Sequence, residues 1–571
     1  MAWRWLVPSD SETPSFDLTR RPWLPVQRRD GREEELSLQE VFAQADDLRR
    51  LVGDVPTQEF ALLRLLLAIL HDAIDGPKDV EEWQALWENG LPISRISDYL
   101  SRQRERLDLL HPGQPFLQTP GLRAMSGEIA RLDRMIADVP NGAPYFTMRA
   151  RGAEWLSFAE AARWLVHTHA FDTAGIKTGV VGDPRVKGGR AYPQGVGWAG
   201  ALGGVMAEGH SLRETLLLNL IAFDTDNLRL VPERDVPAWR REPDGPGQMD
   251  ALELSRRPAG VRDLYTWQSR RVRLVHDGQG VTGVVLTYGD PLSPVNKHQH
   301  EPMTGWRRSP AQEKKLGLAQ VYMPREHDPS RSAWRGLGAL IAGYATAGEQ
   351  RGEDVAVVRP RVLDWVARLT VEGDLPPDFL IRARLVGAVY GTQQSVINEI
   401  IDDAVSMPVV LLYERDSGLG QSAIGAVGDA EAAVTVLGNF AFDLATACGA
   451  DGEPPKSTAR HLGFSALDGP FRAWLAALRV GDDAQERRTA WQQQVHRIIS
   501  RQGDDLMRGA GDAAWRGRVI ETKKGQELWL TDSQADWAFR GRLRKVLPLA
   551  VTDESETDLR SDSPQNVEAR A

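Results

Sequence analysis

Three histidine groupings carry residue types suited to a metal site. His71 and Asp72 are adjacent, like the doublet of a metal phosphohydrolase. His167 and His169 are two residues apart, and so are His298 and His300. Residues i and i+2 of a helix do not share a face, so His167 and His169 make a poor chelate. His298 and His300 fall in a loop with no acidic or cysteine cluster beside them, and no further ligand motif accompanies His71 and Asp72. These histidines are read as structural, and no metal or other cofactor is expected. A metal-dependent nuclease using His71 and Asp72 stays open as an alternative. Walker A, GxSxG, HExxH and kinase motifs are all absent.

GVGWAG, Gly195 to Gly200, fits the GxGxxG spacing. That spacing holds a dinucleotide only between a strand and a helix. The preceding GGRAYPQ cannot be a buried strand, because Pro193 and the glycines break it. Two readings remain. One is a tightly turned loop; the other is a bare backbone offering N–H groups to phosphates or base edges. YGTQQSVINEI (390–400) places Thr392, Gln393 and Gln394, all polar and uncharged, inside a structured region. It reads as a helix entrance, either merely exposed or acting as a probe. A glutamine amide both donates and accepts at base edges, and a projecting side chain can wedge into a base-pair step.

Arginines and lysines crowd the C-terminal third. Residues 456–545 hold 17 Lys/Arg against 11 Asp/Glu, a net +6. Arg497, Arg501, Arg508, Lys523 and Lys524 are candidates for contact with a phosphate backbone; a solvated helix face is the plain alternative. Residues 551–571 carry six acids against Arg560 and Arg570, a net −4. The whole chain of 571 residues has a net charge of −10, which hides this asymmetry.

The elements that must position these residues are mixed. Helical patterns fall at 38–52, 57–75, 79–110, 157–170, 211–223, 335–347, 360–371 and 376–402. Ser157 with Glu160, and Ser211 with Glu214, have the capping-box spacing. RRVRLVHDGQGVTGVVLTYGD (270–290) predicts a β-hairpin. Long Gly-, Pro- and Arg-rich stretches at 175–210 and 225–260 show no period. Segments 429–447, 467–480, 484–509 and 533–548 predict an up-down four-helix bundle. The expected architecture is α+β: an irregular mixed domain over 1–404, a four-helix bundle over 405–550 and an acidic disordered tail over 551–571. One cysteine, Cys448, precludes an internal disulfide framework. Met1 to Pro14 lacks a signal-peptide layout, and the longest apolar run, Ala61 to Leu70, is broken by Arg64. A cytoplasmic protein is expected.

In chain order, FDLTRRPWLPV (16–26), HPGQPFLQ (111–118), SFAEAARWLVHTHAFDTAGIKTG (157–179), YPQGVGWAGALGG (192–204), SLRETLLLNL (211–220), DPSRSAWRGL (328–337) and YGTQQSVINE (390–399) together resemble the CasA family. That family is the large subunit of the type I-E CRISPR surveillance complex, Cascade. The resemblance runs from about residue 15 to 545. It implies a non-catalytic subunit of an RNA-guided antiviral assembly. Guide pairing reads the target, while this subunit reads the protospacer-adjacent motif (PAM) on double-stranded DNA from the minor groove. It would then wedge open the first base pair to start the R-loop and help recruit a separate helicase-nuclease. The implied partners are that DNA and the guide-RNA-bearing backbone and small subunits, with no membrane.

Carried onto this chain, the resemblance implies a glycine loop at Gly195, Gly197 and Gly200 and a wedge at Gln393, Gln394 and Ser395. It points to Lys297 as the lysine finger and to Tyr145, Phe146 and Thr147 as the loop reaching the guide end. Some relatives have a cysteine cluster ahead of the finger; HDGQGVTGVV has none here, so zinc is not expected. A purely structural scaffold subunit is the third reading.

Overall fold

The structure is a computed structural model that describes residues 14–137, 154–225, 228–341, 357–373, 375–413, 418–521 and 525–550. The chain divides into two compact units. The first is Met1–Arg331, Gly352–Pro376 and Ile381–Ala404; the second is Ser332–Arg351, Pro377–Leu380 and Val405–Ala571.

The first unit opens on an antiparallel sheet, β1 (Leu24–Arg28) lying between β2 (Glu33–Leu36) and β3 (Leu48–Leu51). Helix α1 (Pro56–Ile74) follows and is buried along nearly its whole length, as its all-round apolarity predicts. Proline at its first turn suits a position whose N–H has no helical partner. Packed on α1 is α2 (Phe158–Phe171). Its capping box is complete: Ser157 Oγ accepts from Glu160 N–H (3.1 Å), and the Glu160 carboxylate accepts from Ser157 N–H (3.0 Å). At Ser211 the cap accepts from Glu214 N–H, but the Glu214 carboxylate turns to His210 N–H instead.

Strand β4 (Gly204–Glu208) precedes the predicted hairpin, β5 (Arg270–His276) with β6 (Val281–Tyr288). The stretch 376–402 is not helical. It forms most of a second hairpin, β7 (Leu380–Tyr390) and β8 (Ile397–Pro408), joined by a single turn of 3-10 helix at Thr392–Gln394. Gln393 and Gln394 therefore stand on a hairpin tip, not at a helix entrance. Strand β7 is central, between β8 and β4, and its middle, residues 383–387, is buried on both faces, so its sequence lacks clean alternation and reads like a buried helix.

One side chain clamps this sheet. Arg384 of β7 is 2% exposed. It donates to Asp402 of β8 (2.6 and 2.9 Å), to Glu208 of β4 (3.3 Å) and to Glu59 of α1.

The second unit holds four long helices: α3 (Leu419–Cys448), α4 (Glu453–Ala476), α5 (Ala484–Gly509) and α6 (Asp532–Val546). Helix α3 touches each of the other three. A short hairpin that has no counterpart in the sequence reading, β9 (Arg518–Glu521) with β10 (Glu527–Leu530), lies between α5 and α6. Mixed sheets and helices followed by a helical C-terminal region make the chain α+β, as expected. No helix among the described residues is long and apolar enough to cross a membrane.

Candidate functional site

The three glycines of the predicted loop have different surroundings. Gly195 is half-buried with φ +99°, and a Cβ there would face open space. Gly197 and Gly200 are buried. A Cβ on Gly197 would stand 2.5 Å from the Ala170 backbone, and one on Gly200 would stand 2.1 Å from Tyr390 Oη. These two let the loop pack against the end of α2 and against β7. Of the three, only Gly195 has open space where a Cβ would stand.

The glutamine tip is held in strained backbone. Gln393 (φ 55°) and Gln394 (φ 53°) are both left-handed, a conformation costing a non-glycine residue roughly 1–2 kcal/mol. Such strain persists only where surrounding bonds determine it. Here Gly391 N–H donates to Val396 O (2.9 Å), Gln394 N–H to Gly391 O (2.9 Å) and Ser395 Oγ to Thr392 O (2.9 Å). The Gln394 carbonyl accepts from Ala174 N–H (2.8 Å), tying the tip to the segment after α2. Both glutamine side chains are exposed; Ser395 is half-buried.

Glycine loop and tip converge. A cavity of about 350 Å³ is lined by Gly195, Ser269, Arg270, Tyr288, Pro294 and Gln394, among others. Below it, Asp172 meets two cations, Lys177 (2.7 Å) and Arg270, all three buried. Burial opposes the Asp172 charge, yet Lys177 and Arg270 hold its pKa below the usual carboxylate range. The Tyr288 hydroxyl, pushed up to about 12 by burial, donates to Gly175 O (2.8 Å). Asp172, Lys177 and Arg270 were not singled out from sequence, because 98 residues separate Asp172 from Arg270 and no spacing connects them.

Lys297 does not line this cavity; it stands three residues beyond Pro294, which does. It follows Asn296, another left-handed residue (φ 55°), and caps a turn in which its carbonyl accepts from His300 and Glu301 N–H. Half-buried, it has no ion pair among the described residues. Burial and then the nearby Arg229 lower its pKa.

In the second unit, Arg497, Arg501 and Arg508 are exposed on α5. Arg508 pairs with Asp505, whereas Arg497 and Arg501 have no carboxylate partner among the described residues. Tyr145, Phe146, Thr147, Lys523, Lys524 and the 551–571 segment lie outside the described residues.

The histidines are wired as structural groups. His71 Nδ1 donates to Gly76 O (2.8 Å), its ring stacks on Phe223, and burial pushes its pKa down to about 4. Asp72 accepts from Tyr99 Oη (2.7 Å), Arg240 (2.8 Å) and Arg262 (3.3 Å). His167 bonds Thr57 Oγ1 (2.9 Å) and His169 bonds Leu117 O (2.8 Å). The buried Nδ1 atoms of His298 and His300 lack hydrogen-bond partners, but among the described residues no three His, Cys, Asp or Glu side chains gather as a metal-ligand set.

Comparison with known proteins identifies the family. Residues 17–502 match the family model for CRISPR-associated protein Cse1. A curated relative, the CRISPR-associated protein CasA/Cse1 of Thermus thermophilus, is 30% identical over 402 residues, 70% of this chain and 72% of that one. The crystal structure of Thermobifida fusca Cse1 is 64% identical and superposes with a TM-score of 0.88, covering 94% of this chain and 99% of that one. Cse1 from Acidimicrobium ferrooxidans, at 31% identity, gives 0.78 over 94% and 98%. A structure of a CRISPR RNA-guided surveillance complex, at 19% identity and a TM-score of 0.58, shares the fold. With most of its length matched by the family model and a near-complete superposition on one member, this chain belongs to the Cse1 (CasA) family, the large subunit of the type I-E CRISPR Cascade complex.

Proposed function

We propose that this subunit reads the PAM on double-stranded DNA from the minor groove and opens the first base pair beside it. The observation that carries the reading is the convergence of Gly195 and Gln394 on one cavity, the glutamine presented on strained, tied-down backbone. Gly195 allows a base edge or sugar to approach the main chain without a Cβ in the way. Gln394 is the inserting residue, flanked by Gln393 and Ser395; its amide replaces part of the pairing and stacking lost, an unstacking cost of a few kcal/mol. Lys297 supplies a cationic donor from the 291–300 loop. The minor groove's degenerate pattern makes tolerance of several PAM sequences expected.

Guide pairing then extends the opened duplex in a near-balanced exchange. Arg497 and Arg501, with Arg508 contributing less, follow the phosphate backbone from the helical unit. The chain breaks no bond itself and acts in the cytoplasm. Backbone and small Cascade subunits hold the guide RNA, and a separate helicase-nuclease is recruited after the R-loop forms. Against the nuclease alternative stands Asp72, whose carboxylate is already engaged by Tyr99, Arg240 and Arg262.

The test is base-pair opening by the assembled complex, followed with a fluorescent base analogue next to the PAM. Gln394→Ala and Lys297→Ala are each expected to reduce PAM-dependent opening about tenfold or more, for contacts worth about 1–3 kcal/mol. Wild-type opening by both variants would show the site to be misassigned.

A further inference from the structure

We infer that Arg270 is a positioning residue that sets the separation between the glycine loop and the glutamine tip, and so governs PAM discrimination. This rests on the reading proposed above.

Arg270 is 2% exposed and lies at the start of β5. Its guanidinium donates to three separate stretches. Nε reaches the Asp172 carboxylate; Nη1 reaches Ser269 O (2.9 Å); Nη2 reaches Asp172 O (2.9 Å), Thr173 O (3.0 Å) and Gly195 O (3.0 Å). Thr173 adjoins Ala174, whose N–H holds the Gln394 carbonyl. Asp172 O takes a second bond from Gly197 N–H (2.8 Å). One planar group thus braces the Gly195 carbonyl and the segment that carries the tip.

Its plane rests against Tyr288, 4.8 Å from the ring centroid, and Tyr288 in turn holds Gly175 O. The rigid guanidinium fork fixes these directions together. A lysine ammonium has three donors on one atom and cannot span them. The Gly195 carbonyl is tied to the rest of the site through Arg270 Nη2, so loss of the guanidinium removes that tie. A displacement of about 1 Å at a recognition site can cost up to about 100-fold.

The experiment uses assembled Cascade carrying Arg270→Lys or, separately, Asp172→Asn, with Gln394→Ala run in parallel. Affinity is measured for three duplexes: target with PAM, target without PAM, and target whose first base pairs beside the PAM position are mismatched and already open. Both positioning variants are expected to assemble and to bind the pre-opened duplex within about twofold of wild type. Their preference for PAM over no PAM is expected to fall about tenfold. Retained preference in both variants overturns the inference. So does equal loss on the pre-opened duplex, or failure of both variants to assemble, since either outcome makes Arg270 a folding residue only. If Gln394→Ala keeps full PAM dependence, the PAM reading itself fails. If Gln394→Ala is impaired while Arg270→Lys and Asp172→Asn are not, only the positioning role falls.

Discussion

A Cβ on Gly200 would collide with a tyrosine hydroxyl that is itself pinned by a 2.7 Å bond to Phe171 O, whereas a Cβ on Gly195 would meet nothing. Gly200→Ala should therefore act on stability, lowering it by about 1–3 kcal/mol through overpacking. Gly195→Ala should cost about 1 kcal/mol for its left-handed backbone and act mainly on DNA. Urea midpoints of the two variants check the order; equal midpoints would remove the packing role of Gly200. The buried histidines give a pH prediction. Burial lowers the pKa of His71 and His169 to about 4 and that of His167 to about 3, against an ordinary value of 6.5. The unfolded chain then binds more protons below pH 6.5, so stability is full above that value and is lost as pH falls toward 4. The slope is about 1.4 kcal/mol per pH unit for each such histidine. A urea midpoint unchanged between pH 7.5 and 5 would contradict their neutral, buried state.

Among the elements, α2 and the β7–β8 hairpin contrast in how they are specified. The start of α2 is local chemistry: Ser157 and Glu160 satisfy each other's backbone groups three residues apart, so the helix could be placed from sequence. The hairpin depends on distant partners. Arg384 of β7 joins Asp402, Glu208 and Glu59, which come from three other elements. Arg384→Met is expected to destabilise the chain by about 3 kcal/mol, because Asp402 loses both Arg384 bonds and the buried Glu59 and Glu208 keep only the more exposed Arg50 and Arg382. Thermal unfolding would test this; a loss below about 1 kcal/mol would mean that water and the remaining Arg50 and Arg382 suffice for these carboxylates. The misread 376–402 stretch follows from the same dependence. A strand covered on both faces loses its period-2 signature, and nothing within eleven residues tells it from a buried helix.

On the scale of the whole molecule, a net charge of −10 coexists with a basic stretch in the helical unit. Arg497 and Arg501 lie one helical turn apart, exposed and without a carboxylate partner among the described residues. If both meet phosphates, Arg497→Ala with Arg501→Ala should flatten the dependence of log affinity on log salt by about 2. Arg508→Ala should change it less, because Asp505 already neutralises Arg508. Titrating complex binding to target duplex between low and physiological salt reads this directly. An unchanged slope in the double variant would make α5 a solvated face.

The sequence by itself determined the family, the α+β class, the β5–β6 hairpin and the capped start of α2; it placed α5 and α6 closely, whereas α3 starts ten residues before its predicted segment and α4 spans Glu453–Ala476 where 467–480 was expected. These follow from local periods, caps and turns, each set by residues a few positions apart, or, for the family, from the order of short motifs along the chain. It also named Gly195 and Gln394, because glycine and glutamine stand out where they occur. Tertiary structure alone decided that Gln394 sits on a hairpin tip, that Gly197 and Gly200 serve packing, and that Lys297 stands outside the cavity lining. It alone brought Asp172, Lys177 and Arg270 together beneath the site. The reason is physical: a buried charge is tolerated only beside its partner, and that partner is chosen by the fold across nearly a hundred residues, not by spacing along the chain.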